Sequence, residues 1–353
     1  MLWWTLFKLS WQLRDADWMA RERVLRQLST IQHPKATRLI ADCLQDERPE
    51  IRLAAAERLV ARQDLSASAA LFEAVQLPEN TLPIRQAAQR ALAALGPAIL
   101  DAAAARMKDS ACPARAEMAQ ILGELNDPRA AEHLATVLDD DDMSLRKEAV
   151  FSLGAIGSES SVKPLTDALR DSRWLVRAEA AEALGKVGDA KSLSALLDAA
   201  KDEKWTVRCS ACKALARFAD PRAIEALLGM MAAEADEFPE RDEVRHVAAQ
   251  MLGKIGAASA TGPLLHCAAD PEAADIAVES LRNVFRQSAA EIAEDDLKAV
   301  AECENFQQTE YIAGPEEEVR TSGAPIESSG QREIDCSDLR DLAAQELTRR
   351  ADS

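Results

Sequence analysis

"ALRDSRWLVRAEAAEALGKVG", residues 168–188, and "AAKDEKWTVRCSACKALARFA", residues 199–219, carry the same Asp, Trp, Val-Arg, Ala and Leu in the same order, 31 positions apart. Self-similarity at a fixed period marks an architecture of stacked units and decides the fold before any local reading. With the Arg of "VR" as anchor, the pattern runs through Arg21, Arg52, Arg85, Arg115, Arg146, Arg177, Arg208 and Arg245 to Ala274, at spacings of 31, 33, 30, 31, 31, 31, 37 and 29. Seven residues past each anchor stands a leucine, from Leu28 to Leu281, in all nine units.

Three residues past the anchor the chain is small and apolar, as in Ala55, Ala88, Ala149, Ala180 and Ala211. Offsets of three, four and seven share one helical face, so each anchor sits on a helix with a narrow buried stripe. Upstream, Leu44, Leu77, Met107, Leu138 and Leu169 with Ile40, Leu134, Leu165 and Leu196 mark the stripe of a preceding helix. Pro34, Pro97, Pro128 and Pro221 suit its start, and Gly157, Gly188 and Gly256 the end of the second helix. The pattern predicts an all-α solenoid, a right-handed superhelix of about nine helix-turn-helix units. The array covers residues 1–285 and an acidic C-terminal segment covers 286–353.

Six residues before the anchor comes Asp15, Asp46, Asp109, Asp140, Asp171 or Asp202. An aspartate there is expected to cap the second helix, while Arg21, Arg52, Arg115, Arg146, Arg177 and Arg208 reach the aspartate of a neighbouring unit. The expected role is a structural ladder, not catalysis.

The "D..W.VR..A..AL..IG" pattern resembles the short HEAT-like repeats of the phycobilisome lyase type, over residues 1–285. The resemblance implies a protein-binding solenoid whose second helices line a concave face, with a bilin lyase subunit or chromophore-handling factor as the alternative. Fold alone does not choose between them. The HEAT-repeat deoxyhypusine hydroxylases carry His-Glu dipeptides, and none of His33, His133, His246 and His266 is followed by Glu.

Net charge is −18, with 60 acidic against 42 basic residues, and no basic stripe of the kind that neutralises nucleic-acid phosphates appears. Seven scattered cysteines suit a reducing, cytoplasmic setting. Cys209 and Cys212 form one CxxC, but Cys212 falls in the core column, so packing accounts for it. No nucleophile-base set, phosphate loop or metal cluster is recognisable, so no cofactor is assigned and enzymatic activity is not expected.

A non-catalytic scaffold therefore needs a binding face. The outward positions of the second helices supply Glu148, Phe151, Glu179 and Glu182, and Trp174 and Trp205 add aromatics at one edge. These residues read either as anchors and charges for a protein partner or as a solvated face with stacked core aromatics. The eighth unit carries a longer interhelix loop, residues 233–243, in which Phe238 stands among acids, either as a binding device or as a tolerated insertion. "MLWWTLFKLSWQL" aligns as the first helix of the first unit and is too short to span a membrane. Its Trp3, Trp4 and Trp11 leave two readings open, a packed terminal helix or a surface that docks on a membrane or partner. Residues 286–353 hold seventeen acids and seven bases. They are expected to form a capping helix at 289–303 and then a largely disordered tail, with 336–350 amphipathic if helical.

Overall fold

A computed structural model describes residues 2–15, 17–218, 220–232, 240–268, 273–302, 306–309, 331–334 and 337–351. The chain divides into two compact units, residues 1–187 and 188–353. In the first unit the helical pairs are α1 (Leu2–Gln12) with α2 (Trp18–Thr30), α3 (Pro34–Asp42) with α4 (Pro49–Val60), and α5 (Ser68–Gln76) with α6 (Leu82–Ala94). They continue as α7 (Leu100–Lys108) with α8 (Arg115–Glu124), α9 (Pro128–Ala135) with α10 (Met143–Ile156), and α11 (Glu159–Ala168) with α12 (Trp174–Val187). The second unit holds α13 (Leu193–Ala199) with α14 (Trp205–Leu215), α15 (Pro221–Ala232) with α16 (Glu240–Ile255), and α17 (Thr261–Cys267) with α18 (Ala274–Ser288). The described residues thus contain the nine helical pairs of an α-solenoid.

Each pair forms because its two apolar stripes have nowhere else to go. Every anchor-plus-seven leucine from Leu28 to Leu281 is buried, as are Ile40, Leu44, Leu134, Leu165 and Leu196 of the preceding helices. Fully burying a leucine contributes about 1.5–3 kcal/mol, and here that burial is shared between neighbouring pairs. Pro34, Pro128 and Pro221 open α3, α9 and α15, whereas Pro97 lies in a 3-10 turn before α7. Gly157 closes α10 at φ +62°, in the left-handed region that costs glycine little, and its N–H donates to the Leu153 carbonyl.

Second helices approach one another unusually closely, through glycines at the anchor-plus-eight position. A Cβ on Gly123 would stand 2.6 Å from Ser152 Oγ, and one on Gly253 2.5 Å from Ser280 Cβ. Ser152 uses the proximity to donate to the Ala119 carbonyl at 2.9 Å.

The described residues of the last segment form two helices and a short ribbon. After α19 (Glu294–Glu302), β1 (Phe306–Thr309) and β2 (Gln331–Ile334) form an antiparallel ribbon, with Phe306 opposite Ile334. Then α20 (Ser337–Ala351) docks within the second unit: Leu339 and Ala343 are buried and Leu347 packs on the same core. Arg282 Nε donates to Asp338 Oδ2 at 2.8 Å, and Arg350 Nη2 donates to the Ala289 and Ala290 carbonyls at 3.1 and 2.9 Å. It falls on the stretch read in the sequence as amphipathic if helical, and three apolar residues at four-residue spacing suffice for its seam.

Candidate functional site

The interhelix turns are built by the ladder. All six of its aspartates accept a backbone N–H two residues on, as in Asp46 from Arg48 at 2.9 Å, Asp140 from Asp142 at 3.0 Å and Asp171 from Arg173 at 2.7 Å. They therefore stabilise the turn and are not helix N-caps, which corrects the sequence reading. The capping position of α2 belongs to Asp17 and that of α10 to Asp142. The same turn supplies a carbonyl to its own arginine: Arg21 Nη1 reaches Asp15 O at 2.7 Å, Arg52 reaches Asp46 O at 2.7 Å and Arg146 reaches Asp140 O at 2.6 Å. Arg177 and Arg208 make the same bond to Asp171 and Asp202, each at 2.9 Å.

The other side of the guanidinium crosses to the next pair. Arg21 meets Asp46 at 2.9 Å, Arg146 Nε meets Asp171 Oδ2 at 2.8 Å, and Arg115 grips both carboxylate oxygens of Asp140. In each case 25 residues separate the partners. Where the period differs the rung changes. Arg52 finds Glu79 in the aspartate column and uses its backbone carbonyl at 3.4 Å. Counting 25 from Arg85 lands on Ser110, and the Arg85 Nε is buried without a hydrogen-bond partner among the described residues. The Arg115 guanidinium holds the Asp140 carboxyl below the ordinary carboxylate range.

With the turns fixed, α10 and α12 present the outward residues of the first unit. Phe151, on α10, is 46 % exposed, and the Lys186 ammonium lies 5.3 Å from its ring centre while pairing with Glu182 at 2.9 Å. Glu148 and Glu179 are half-buried. Burial raises the Glu148 carboxyl above its ordinary range, with Lys147 opposing and Glu179, Glu124 and Glu117 adding to the rise. Burial also raises Glu179, with Glu182 adding and Lys186 and Lys147 opposing. The face is thus an apolar ring among carboxylates that hold their charge reluctantly, and a cation placed between them relieves that cost. Trp174 opens α12 at 38 % exposure. Trp205 belongs to the second unit, where it is half-buried against that unit's core. Phe238 lies outside the described residues.

Sequence reasoning missed a groove of about 480 Å³ along α6, α8 and α10, lined by Arg85, Gln89, Arg115, Glu117, Gln120 and Glu148. It extends the same face toward the N-terminus. The sequence carried no signal for it, because its lining comes together only where α6, α8 and α10 lie side by side. Cys212 fills the core beside Met230, and burial pushes its thiol up to about 12.

The chain matches the family model for HEAT repeats over residues 7–93, 99–175 and 162–241. Among solved structures, Kap121p bound to Pho4p superposes with a TM-score of 0.59 at 14 % identity, over 84 % of this chain and 38 % of that one. The CpcE and CpcF complex of phycocyanin lyase from Nostoc sp. PCC7120 gives a TM-score of 0.34 at 18 % identity, covering 74 % of this chain and 91 % of that one. Human deoxyhypusine hydroxylase gives 0.31 at 22 % identity, with coverages of 70 % and 95 %. The likeness to Kap121p is one of fold, and this chain spans little more than a third of that protein. No curated protein matches the chain.

Proposed function

The chain belongs to the HEAT-repeat family, and on that premise we propose that it is a non-catalytic scaffold that binds a basic segment of a protein partner on the second-helix face of its first unit. The observation that carries this reading is Phe151, an exposed aromatic ring bordered by the half-buried carboxylates Glu148 and Glu179. Aromatic anchors carry a disproportionate share of binding energy, and flanking charge of one sign speeds encounter in a salt-dependent way. In this reading Glu182 and Trp174 widen the contact, and Lys186 yields the Phe151 ring to an incoming lysine or arginine. Trp205 serves the core of the second unit.

No described helix is long and apolar enough to cross a membrane. A cytoplasmic setting accords with Cys43, Cys112, Cys209, Cys212 and Cys267, all buried thiols outside any disulfide. The experiment is affinity purification from native cells with the parent chain and with Glu148→Lys combined with Glu179→Lys. The reading expects a co-purifying protein that is lost in the charge-reversed variant at unchanged helicity; undiminished recovery places the site elsewhere.

A further inference from the structure

The first helix presents a second surface that the scaffold reading does not use. Leu6 and Leu9 are buried and fix α1 on the array, so its orientation is set. The opposite side carries Trp3, Trp4, Phe7 and Trp11, exposed by 68, 71, 57 and 68 %. At 100° per residue these four rings share roughly a 100° arc of the helix. Aromatic rings this exposed on a folded surface mark an interaction site.

Charge decides the occupant. Residues 1–38 hold seven basic and three acidic side chains, in a chain whose totals are 42 and 60. Helix α1 itself contains no acid. Lys8, Arg14, Lys35 and Arg38 make no ion pair with a carboxylate among the described residues, and the Lys35 ammonium sits 4.7 Å from the Trp3 ring centre. Cations therefore border the aromatic arc while the rest of the chain is acidic.

We propose that this arc docks on the surface of an anionic lipid bilayer, with the indoles at the level of the headgroups. Indole is suited to that boundary, because its ring is apolar and its N–H needs a wet acceptor. Each cation near an anionic leaflet is attracted to it, and the attraction fades beyond the Debye length. An interfacial helix of this kind lies on the membrane and does not cross it. The second-helix face carrying Phe151 is independent of this contact.

The test uses the full chain and vesicles of phosphatidylcholine alone or with phosphatidylglycerol. The parent is expected to sediment with the anionic vesicles, less so as salt rises, with its tryptophan emission quenched by brominated lipid. Trp4→Ala combined with Trp11→Ala, and separately Lys8→Glu with Lys35→Glu, should each weaken binding on the order of tenfold or more at unchanged circular dichroism. The altered side chains are exposed or half-exposed, so folding is not at stake. Absence of vesicle binding overturns the proposal, as does binding that both variants retain. Concentration-dependent self-association that the tryptophan variant abolishes, without vesicle binding, overturns it in favour of a second copy of the chain.

Discussion

A methyl group added to Gly154 would stand 2.6 Å from the Ala183 side chain and 2.9 Å from the Ala183 main chain, so α10 and α12 meet backbone to backbone. Overpacking at so tight an approach typically costs about 1–3 kcal/mol, and Gly154→Ala is expected to lose that much in a denaturant titration. Ala183→Gly in the same chain should recover only part, because the main chain of α12 stays where it is. Gly229 on α15 has open space around it, and Gly229→Ala should be neutral or stabilising through helix propensity. Equal effects at the two glycines would contradict close packing of the second helices.

Arg146 and Asp171 tie two successive turns, with side chains only 11 and 10 % exposed. Arg146→Ala strands a nearly buried carboxylate and should cost about 3 kcal/mol. Arg146→Met with Asp171→Asn removes both charges, keeps an acceptor for the Arg173 N–H and should recover much of that loss. Thermal melts of the two variants and the parent check this order; a single variant as stable as the parent would show the rung to be idle.

The pH dependence contains two opposing contributions. Asp140 has its carboxyl lowered in the fold, so the stability it contributes is present above the ordinary aspartate range and is lost as pH falls through its depressed value. Glu148 and Glu179 are raised, so their charges cost stability at neutral pH, and that cost is relieved as pH falls through their raised values. Replacing both glutamates with glutamine should therefore raise the melting temperature at neutral pH, with the gain vanishing in acid. Arg115→Ala should destabilise at neutral pH and lose less on acidification than the parent. Melting curves across the acidic range measure both differences, and pH-independent offsets would contradict the assignment.

Helix α20 docks through Leu339, and Leu339→Ala should cost about 2 kcal/mol or more. Truncation after residue 302 should lower the melting temperature further, since it also removes the Arg282 contact with Asp338. An unchanged melt on truncation would mean that α20 contributes nothing to the unit.

The repeat was legible because nine leucines and eight arginines recur at nearly one period, and a period fixes both faces of every helix. The aspartate column was visible as well, but its role was not: whether Asp46 caps a helix or folds a turn depends on a two-residue shift in where α4 begins. The rungs at Arg52 and Arg85 follow from spacings of 33 and 30, which move the next carboxylate out of register. The stretch of α20 was legible as amphipathic but its docking on the second unit was not, since a three-residue seam does not name its partner, and the groove beside Arg85 exists only once three helices are side by side. The exposure of Trp3, Trp4 and Trp11 is likewise a tertiary fact, since α1 buries leucines and leaves its aromatic rings outside.

The most direct test of the scaffold reading is site-specific photocrosslinking in native cells, with a photoreactive residue placed at position 151 on α10 or, as control, at position 167 on α11. Both positions are solvent-exposed, and they belong to the second-helix and first-helix faces of the same unit. The account predicts one discrete adduct from position 151, abolished by Glu148→Lys with Glu179→Lys, and none from position 167. Adducts of equal yield from both positions, or an adduct at 151 that survives the charge reversal, would contradict it.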